Sequence, residues 1–273
     1  MPFFQFVIEP FSYAFMQRGL AAGIFVGILC AIMGSYVVLR GMAFLGDALA
    51  HAIMPGVAIS YLLGANLFVG AIIAAIVVAL GIGAISRNGT IKEDTAIGIL
   101  FASALSLGIA LISTVNSYAV DLSHIMFGNI LGVNIFDLQI TILFSVLILA
   151  IVALLYRPLL VVSFDPILAQ TMKLPVNLLN NLLLVLLAVS VVISLQTVGV
   201  GLAAAMLVTP AGTAYLLTRR LKSMMLVSAA IGAFSAFIGL LLSYYLNVVS
   251  GSAIVLTATA IFFVVYLIKK GKR

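Results

Sequence analysis

The 273-residue chain is 65% hydrophobic and only 7% charged, with a mean hydropathy of +1.36, far outside the range of soluble globular domains. It belongs in a bilayer, so its net charge of +6 speaks of membrane topology; Lys and Arg are scattered between apolar runs, without the aromatic-interleaved basic patch of a nucleic-acid binder. The one cysteine, Cys30, sits in an uncharged run and excludes a disulfide framework or a cysteine metal cluster.

Residues 1–18 carry Phe3, Phe4, Phe6, Phe11, Tyr13 and Phe15 together with Glu9, Pro10 and Arg18. No basic stretch precedes an apolar one, as a cleavable signal peptide requires, and an interfacial segment at headgroup level is expected. The charge-free runs that follow delimit the spans, each needing about 20 residues to cross the hydrocarbon. Residues 19–39 form one span. Residues 43–86 hold two, broken at Gly64-Ala65-Asn66, where glycine and asparagine supply turn geometry. Spans over 95–115 and 138–156 follow, with a short helix near the outer face between them. The runs 174–218 and 223–268 each hold two spans, broken near 194–199 and 247–252. The expected fold is all-α: a polytopic membrane bundle of about eight or nine helices, in a single transmembrane domain over 1–273. With nine spans and the N-terminus outside, every one of the 13 Lys and Arg except Arg18 falls on the cytoplasmic side, as the positive-inside rule demands.

Asp47 and His51 stand four apart in the second span, on one helix face, and can offer an oxygen and a nitrogen to one ion. A carboxylate inside a span costs about 2.5–3.5 kcal/mol on insertion scales, so it normally faces a partner, a cavity or a substrate path. The alternative is that the pair merely bonds each other or a neighbouring helix. Met54, about one turn further on, could narrow such a path or simply pack. Outside, Asp121 and His124 are three apart and could meet at an outer gate.

The loop 157–175 contains Ser163-Phe164-Asp165-Pro166 and ends at Lys173-Leu174-Pro175. Ser163 or Asp165 can cap a short helix whose first turn accepts Pro166, and Pro175 stops it. No Gly-rich phosphate loop ending in Gly-Lys-Ser/Thr occurs anywhere, so ATP-driven transport would need a separate subunit docked here. In the seventh span, Val198 to Met206 and Thr209-Pro210-Ala211-Gly212 put small residues on every face, as tight packing or a hinge requires.

Together, several segments carry a resemblance: Phe44-Leu-Gly-Asp-Ala-Leu-Ala-His51-Ala with Pro55-Gly-Val-Ala58, Glu93-Asp-Thr-Ala-Ile-Gly98, Phe127-Gly-Asn-Ile-Leu-Gly132, Ser163-Phe-Asp-Pro166 with Ala169 and Leu174-Pro175, and Val198-Gly to Pro210-Ala211. In this order, over most of the chain, they resemble the membrane permease of the manganese, zinc and iron ATP-binding-cassette importers. The resemblance implies a type II importer permease in a bacterial cytoplasmic membrane, acting as a homodimer. It also implies two ATPase subunits holding the ATP, an extracytoplasmic solute-binding protein, and no resident cofactor. By it, Asp47 and His51 would be ligands of the transported ion, and Phe164, Asp165, Pro166 and Ala169 would belong to the helix that couples to the ATPase. It further implies glycine at position 173, where this chain has Lys173.

An oxygen and an imidazole suit manganese, iron and zinc alike. Two copies across a twofold axis would bring four ligands, and a transit site should hold its ion weakly enough to release it. A proton-coupled secondary transporter with Asp47 as carrier and His51 as relay is the alternative, although the second half holds no inverted repeat of the Asp47 region. An intramembrane protease lacks its motifs, since neither His-Glu-x-x-His nor Gly-x-Ser-x-Gly is present.

Overall fold

The computed structural model describes residues 9–87, 89–114 and 130–271, and all regular structure among them is helical. The helices are α1 (Ala14–Arg40), α2 (Leu45–Ala52), α3 (Met54–Leu62), α4 (Leu67–Ser86), α5 (Glu93–Ile112), α6 (Ile135–Leu154), α7 (Tyr156–Phe164), α8 (Pro166–Thr171), α9 (Val176–Val198), α10 (Val200–Leu217), α11 (Leu221–Leu246) and α12 (Ser250–Lys270). Nine stretches among the described residues are long and apolar enough to cross a membrane, counting α2 and α3 as one. Nine spans, the larger of the two expected numbers, therefore stand, and one of them is composite.

The helices begin and end where short-range chemistry says. Asn66 caps α4, its Oδ1 accepting from Phe68 N at 2.9 Å and Val69 N at 3.4 Å. Glu93 and Asp94 place negative charge in the first turn of α5, where the helix dipole favours it. Gly199, with φ 83°, separates α9 from α10, and Asn247, with φ 53°, ends α11. The first span starts earlier than expected, at Ala14 instead of 19. Arg18 does not stop it, because the side chain folds back and donates from Nε to the Ala14 carbonyl at 3.2 Å.

Two compact units emerge. One comprises the described residues of Met1–Val38, His124–Val146 and Ser194–Arg273. Its core is built by close backbone approach, the mode that small residues permit in lipid. Gly27 lies against Gly232, and a Cβ on Gly34 would fall on the Leu207 carbonyl of α10. Hydroxyls satisfy one another across the same contacts: Ser35 and Ser228 are 3.3 Å apart, Ser228 Oγ donates to the Ala31 carbonyl at 3.1 Å, and Cys30 Sγ lies 3.1 Å from Ser194 Oγ. Cys30 is thus a packing residue, fully buried.

The other unit comprises the described residues of Leu39–Ser123 and Leu147–Ile193. Here α2 and α3 pack on α4 and α5. Gly56 and Gly70 bring the backbones of α3 and α4 together, and Met54 Cβ seats against Gly108 of α5. This unit carries the candidate site.

Candidate functional site

The helix that bears Asp47 and His51 is only eight residues long, and its end has a local cause. Pro55 has no N–H for the His51 carbonyl one turn back, and its ring crowds that carbonyl. The helix stops at Ile53, whose own N–H turns to the His51 carbonyl, and α3 restarts with Pro55 in its first turn. The expected span before the Gly64-Ala65-Asn66 break is present as Leu45–Leu62, with this interruption inside it. Met54 consequently opens the next helix, on the far side of the break from His51, with its Cβ on Gly108.

Asp47 lies in the first turn of α2, where its negative charge is favoured, and its side chain is 55% exposed. His51 is 23% exposed, and its ring meets Phe101 of α5 edge-on at 5.9 Å. His51 Nδ1 lies 2.9 Å from the Asp47 carbonyl. A carbonyl can only accept, so Nδ1 carries a proton, and in the neutral imidazole Nε2 is then the nitrogen with the lone pair. The Asp47 carboxylate is 3.6 Å from the same Nδ1, beyond a good hydrogen bond. No group of three or more His, Cys, Asp and Glu among the described residues could hold a metal ion. Asp47 and His51 thus offer two donors, one carboxylate and one imidazole nitrogen. An apolar cavity of about 580 Å³ opens along α3, α4 and α5, lined by Ala52, Pro55, Ile59, Val69, Ile73 and Leu107 among others and by neither Asp47 nor His51.

The loop after α6 folds into two short helices. Of the two possible caps, Asp165 is the one used: its Oδ1 accepts from Ile167 N at 3.0 Å and Leu168 N at 2.9 Å. Ala169 is fully buried, whereas Phe164, Ile167, Leu168 and Met172 are exposed around it. Lys173 takes φ 56°, the left-handed conformation that favours glycine. Asp121 and His124, the expected outer gate, lie outside the described residues.

The ABC 3 transport family model matches residues 12–269. The chain belongs to the ABC 3 transport family. The manganese transport system membrane protein MntC of Halalkalibacterium halodurans is 48% identical over 251 residues, covering 92% of this chain and 86% of its own. The chelated iron transport system membrane protein YfeD of Yersinia pestis is 38% identical over 265 residues, 97% of this chain and 89% of its own. Among solved structures, that of PsaBC from Streptococcus pneumoniae in complex with Fab matches with a TM-score of 0.83 at 44% identity, over 96% of this chain and 94% of that one. As an ABC 3 protein the chain is a multi-pass membrane transport subunit.

Proposed function

We propose that this chain is the permease of an ABC importer for divalent transition-metal ions, manganese or iron first and zinc as a further candidate, and that Asp47 and His51 are ligands of the ion in transit. One observation carries the reading: a half-exposed carboxylate within a span, with no cation beside it among the described residues, one turn from an imidazole whose Nδ1 is held on the Asp47 carbonyl, which leaves Nε2 as the nitrogen for an ion. A carboxylate left so in hydrocarbon would cost about 2.5–3.5 kcal/mol or more. A divalent ion or a second copy of the chain removes that cost. A twofold pair supplies four donors of the O and N type that manganese, iron and zinc accept. The relatives named for manganese and for chelated iron support this substrate class.

In this reading the Lys- and Arg-bearing helix ends face the cytoplasm, and the exposed apolar face of Phe164, Ile167, Leu168 and Met172 is where a separate ATPase subunit seats. Asp165, Pro166 and the buried Ala169 hold that helix in shape. An extracytoplasmic binding protein delivers the ion to the opposite side, past Asp121 and His124.

The test is manganese uptake into proteoliposomes holding permease, ATPase and binding protein, normalised to folded permease. Asp47→Asn and His51→Leu should each abolish ATP-driven uptake and leave the amount of folded protein intact. Near-normal uptake by both variants would falsify the ligand assignment. Downhill manganese exchange that continues without ATP in Asp47→Asn would instead identify a proton carrier.

A further inference from the structure

Arg40 ends α1, and as a sequence feature it is one cytoplasmic charge among many. In the structure its side chain is 7% exposed. A charge that only marks topology stays in water; a buried one needs partners on every side. Arg40 finds them on three elements. Nε and Nη2 donate to Ser163 Oγ at 3.3 and 3.2 Å, in the last turn of α7. Nη2 also donates to Asn180 Oδ1 at 2.8 Å, in the first turns of α9. Nη1 faces Glu93 Oε1 at 3.7 Å, at the start of α5.

Ser163 stands two residues before Asp165, the cap of the short helix Pro166–Thr171, and Asn180 follows five residues after Pro175. One guanidinium thus grips the chain both before and after that helix. On its other side Arg40 leads into α2 through a short, ordered connection. Met42 and Leu45 are buried, and Leu45 N donates to the Met42 carbonyl at 3.0 Å. Gly41, at φ 72°, is the single left-handed residue in it. Asp47 lies two residues into α2.

We infer that Arg40 is a positioning residue for transport: its forked guanidinium joins the short helix of the 157–175 loop to the segment bearing Asp47 and His51, so that a displacement of one reaches the other. The inference rests on the proposed importer function. Lysine cannot replace arginine here, because a single ammonium point cannot reach acceptors on three helices as the forked guanidinium does. Arg87 provides an internal comparison. With the Asn177 amide oriented oxygen-first, Arg87 Nη2 and Nε donate to it at 3.0 and 3.1 Å, tying the end of α4 to α9 alone. Among the described residues it has no hydrogen bond or ion pair to the Ser163 side of the loop.

The experiment measures manganese moved per ATP hydrolysed by the assembled transporter in proteoliposomes. Arg40→Lys should lower that ratio at least about fivefold, the size of an ordinary inter-site coupling, while folded permease and ATP hydrolysis stay near wild type. Arg87→Lys should change it less than about twofold. Ser163→Ala should lower the ratio by itself, and combined with Arg40→Lys should add nothing further, because both remove one link. Should Arg40→Lys fold poorly, Ser163→Ala and Asn180→Ala leave the charge in place and decide alone. A wild-type ratio in Arg40→Lys, or in both of those neutral variants, overturns the inference, as does a fall in ratio that merely tracks loss of folded protein. Failure of the underlying reading looks different: the wild-type permease would import manganese without ATPase, or Asp47→Asn would import it normally.

Discussion

Two spans of this chain carry a proline inside an apolar run, at Pro55 and Pro210, yet one helix breaks and the other continues. Each proline withholds an N–H from the carbonyl four residues back, His51 in one case and Met206 in the other. Around Pro210 the backbone is pinned: Gly34 lies on the Leu207 carbonyl next to the freed one, and Thr213 Oγ1 donates to the Thr209 carbonyl at 2.8 Å. Helix α10 runs unbroken from Val200 to Leu217. Pro55 is buried as Pro210 is, with Gly56 against Gly70 and Met54 and Pro55 N against Gly108, but an apolar cavity opens beside it and His51 is partly exposed. There the chain parts, and the imidazole sits at the end of a short helix. Proline permits an interruption; the packing of the neighbouring turn decides whether it happens.

The largest effect expected from this contrast is at the pinned span. Gly34→Val puts a branched side chain where the Leu207 carbonyl already lies, with the Ala211 methyl against it as well. Overpacking of this kind costs about 3 kcal/mol or more, so most folded protein should be lost in detergent. A melting temperature equal to wild type would show that the α1–α10 contact does not hold α10 straight.

The two prolines themselves give the next effects. Pro55→Ala restores an N–H for the His51 carbonyl and removes the ring that crowds it, so α2 and α3 should join and the imidazole turn. Disturbing the orientation of a metal ligand typically costs roughly 10- to 100-fold in affinity, and manganese uptake at low concentration should fall by about that factor with folded protein undiminished. Pro210→Ala should change uptake less than about twofold and stability by less than about 1 kcal/mol, because its helix is already continuous. The reverse order, with Pro210→Ala the more harmful to uptake, would mean that the hinge lies in α10.

What could be read in advance was whatever neighbours in sequence decide. The turn at Gly64-Ala65-Asn66, the Asp165 cap, and the breaks at Gly199 and Asn247 all follow from residues that bond or bend within a turn of themselves. The break at Ile53 was not legible, because Pro55 and Pro210 look alike in sequence and differ only in what packs on them. Arg40 hid for the same reason: its partners Glu93, Ser163 and Asn180 are brought to it only by the fold. The start of α1 lies ahead of the boundary that a lone Arg18 suggests, because a long side chain can reach back along its own helix. The donor pair was visible as a spacing, but the tautomer of His51 depended on where the Asp47 carbonyl came to lie.

The smallest lever is at the third kind of interruption, a left-handed residue. Gly199 turns α9 into α10 at φ 83°, which glycine accepts without steric penalty. Lys173 ends α8 at φ 56°, with Lys173 N donating to the Gln170 carbonyl at 2.9 Å and Leu174 N to the Ala169 carbonyl at 3.0 Å, the paired bonds of a helix end built for glycine. A lysine held there costs about 1 kcal/mol, partly offset because glycine has more freedom to lose on folding. Lys173→Gly should therefore stabilise the permease by about 0.5 kcal/mol, a rise of roughly 1–2 °C in melting temperature. Uptake should stay within about twofold of wild type, since the Asp165 cap and the buried Ala169 set the register of the short helix with or without the lysine. A drop in manganese moved per ATP with no loss of stability would show that the Lys173 ammonium itself contacts the ATPase, and that the left-handed lysine is kept for its charge.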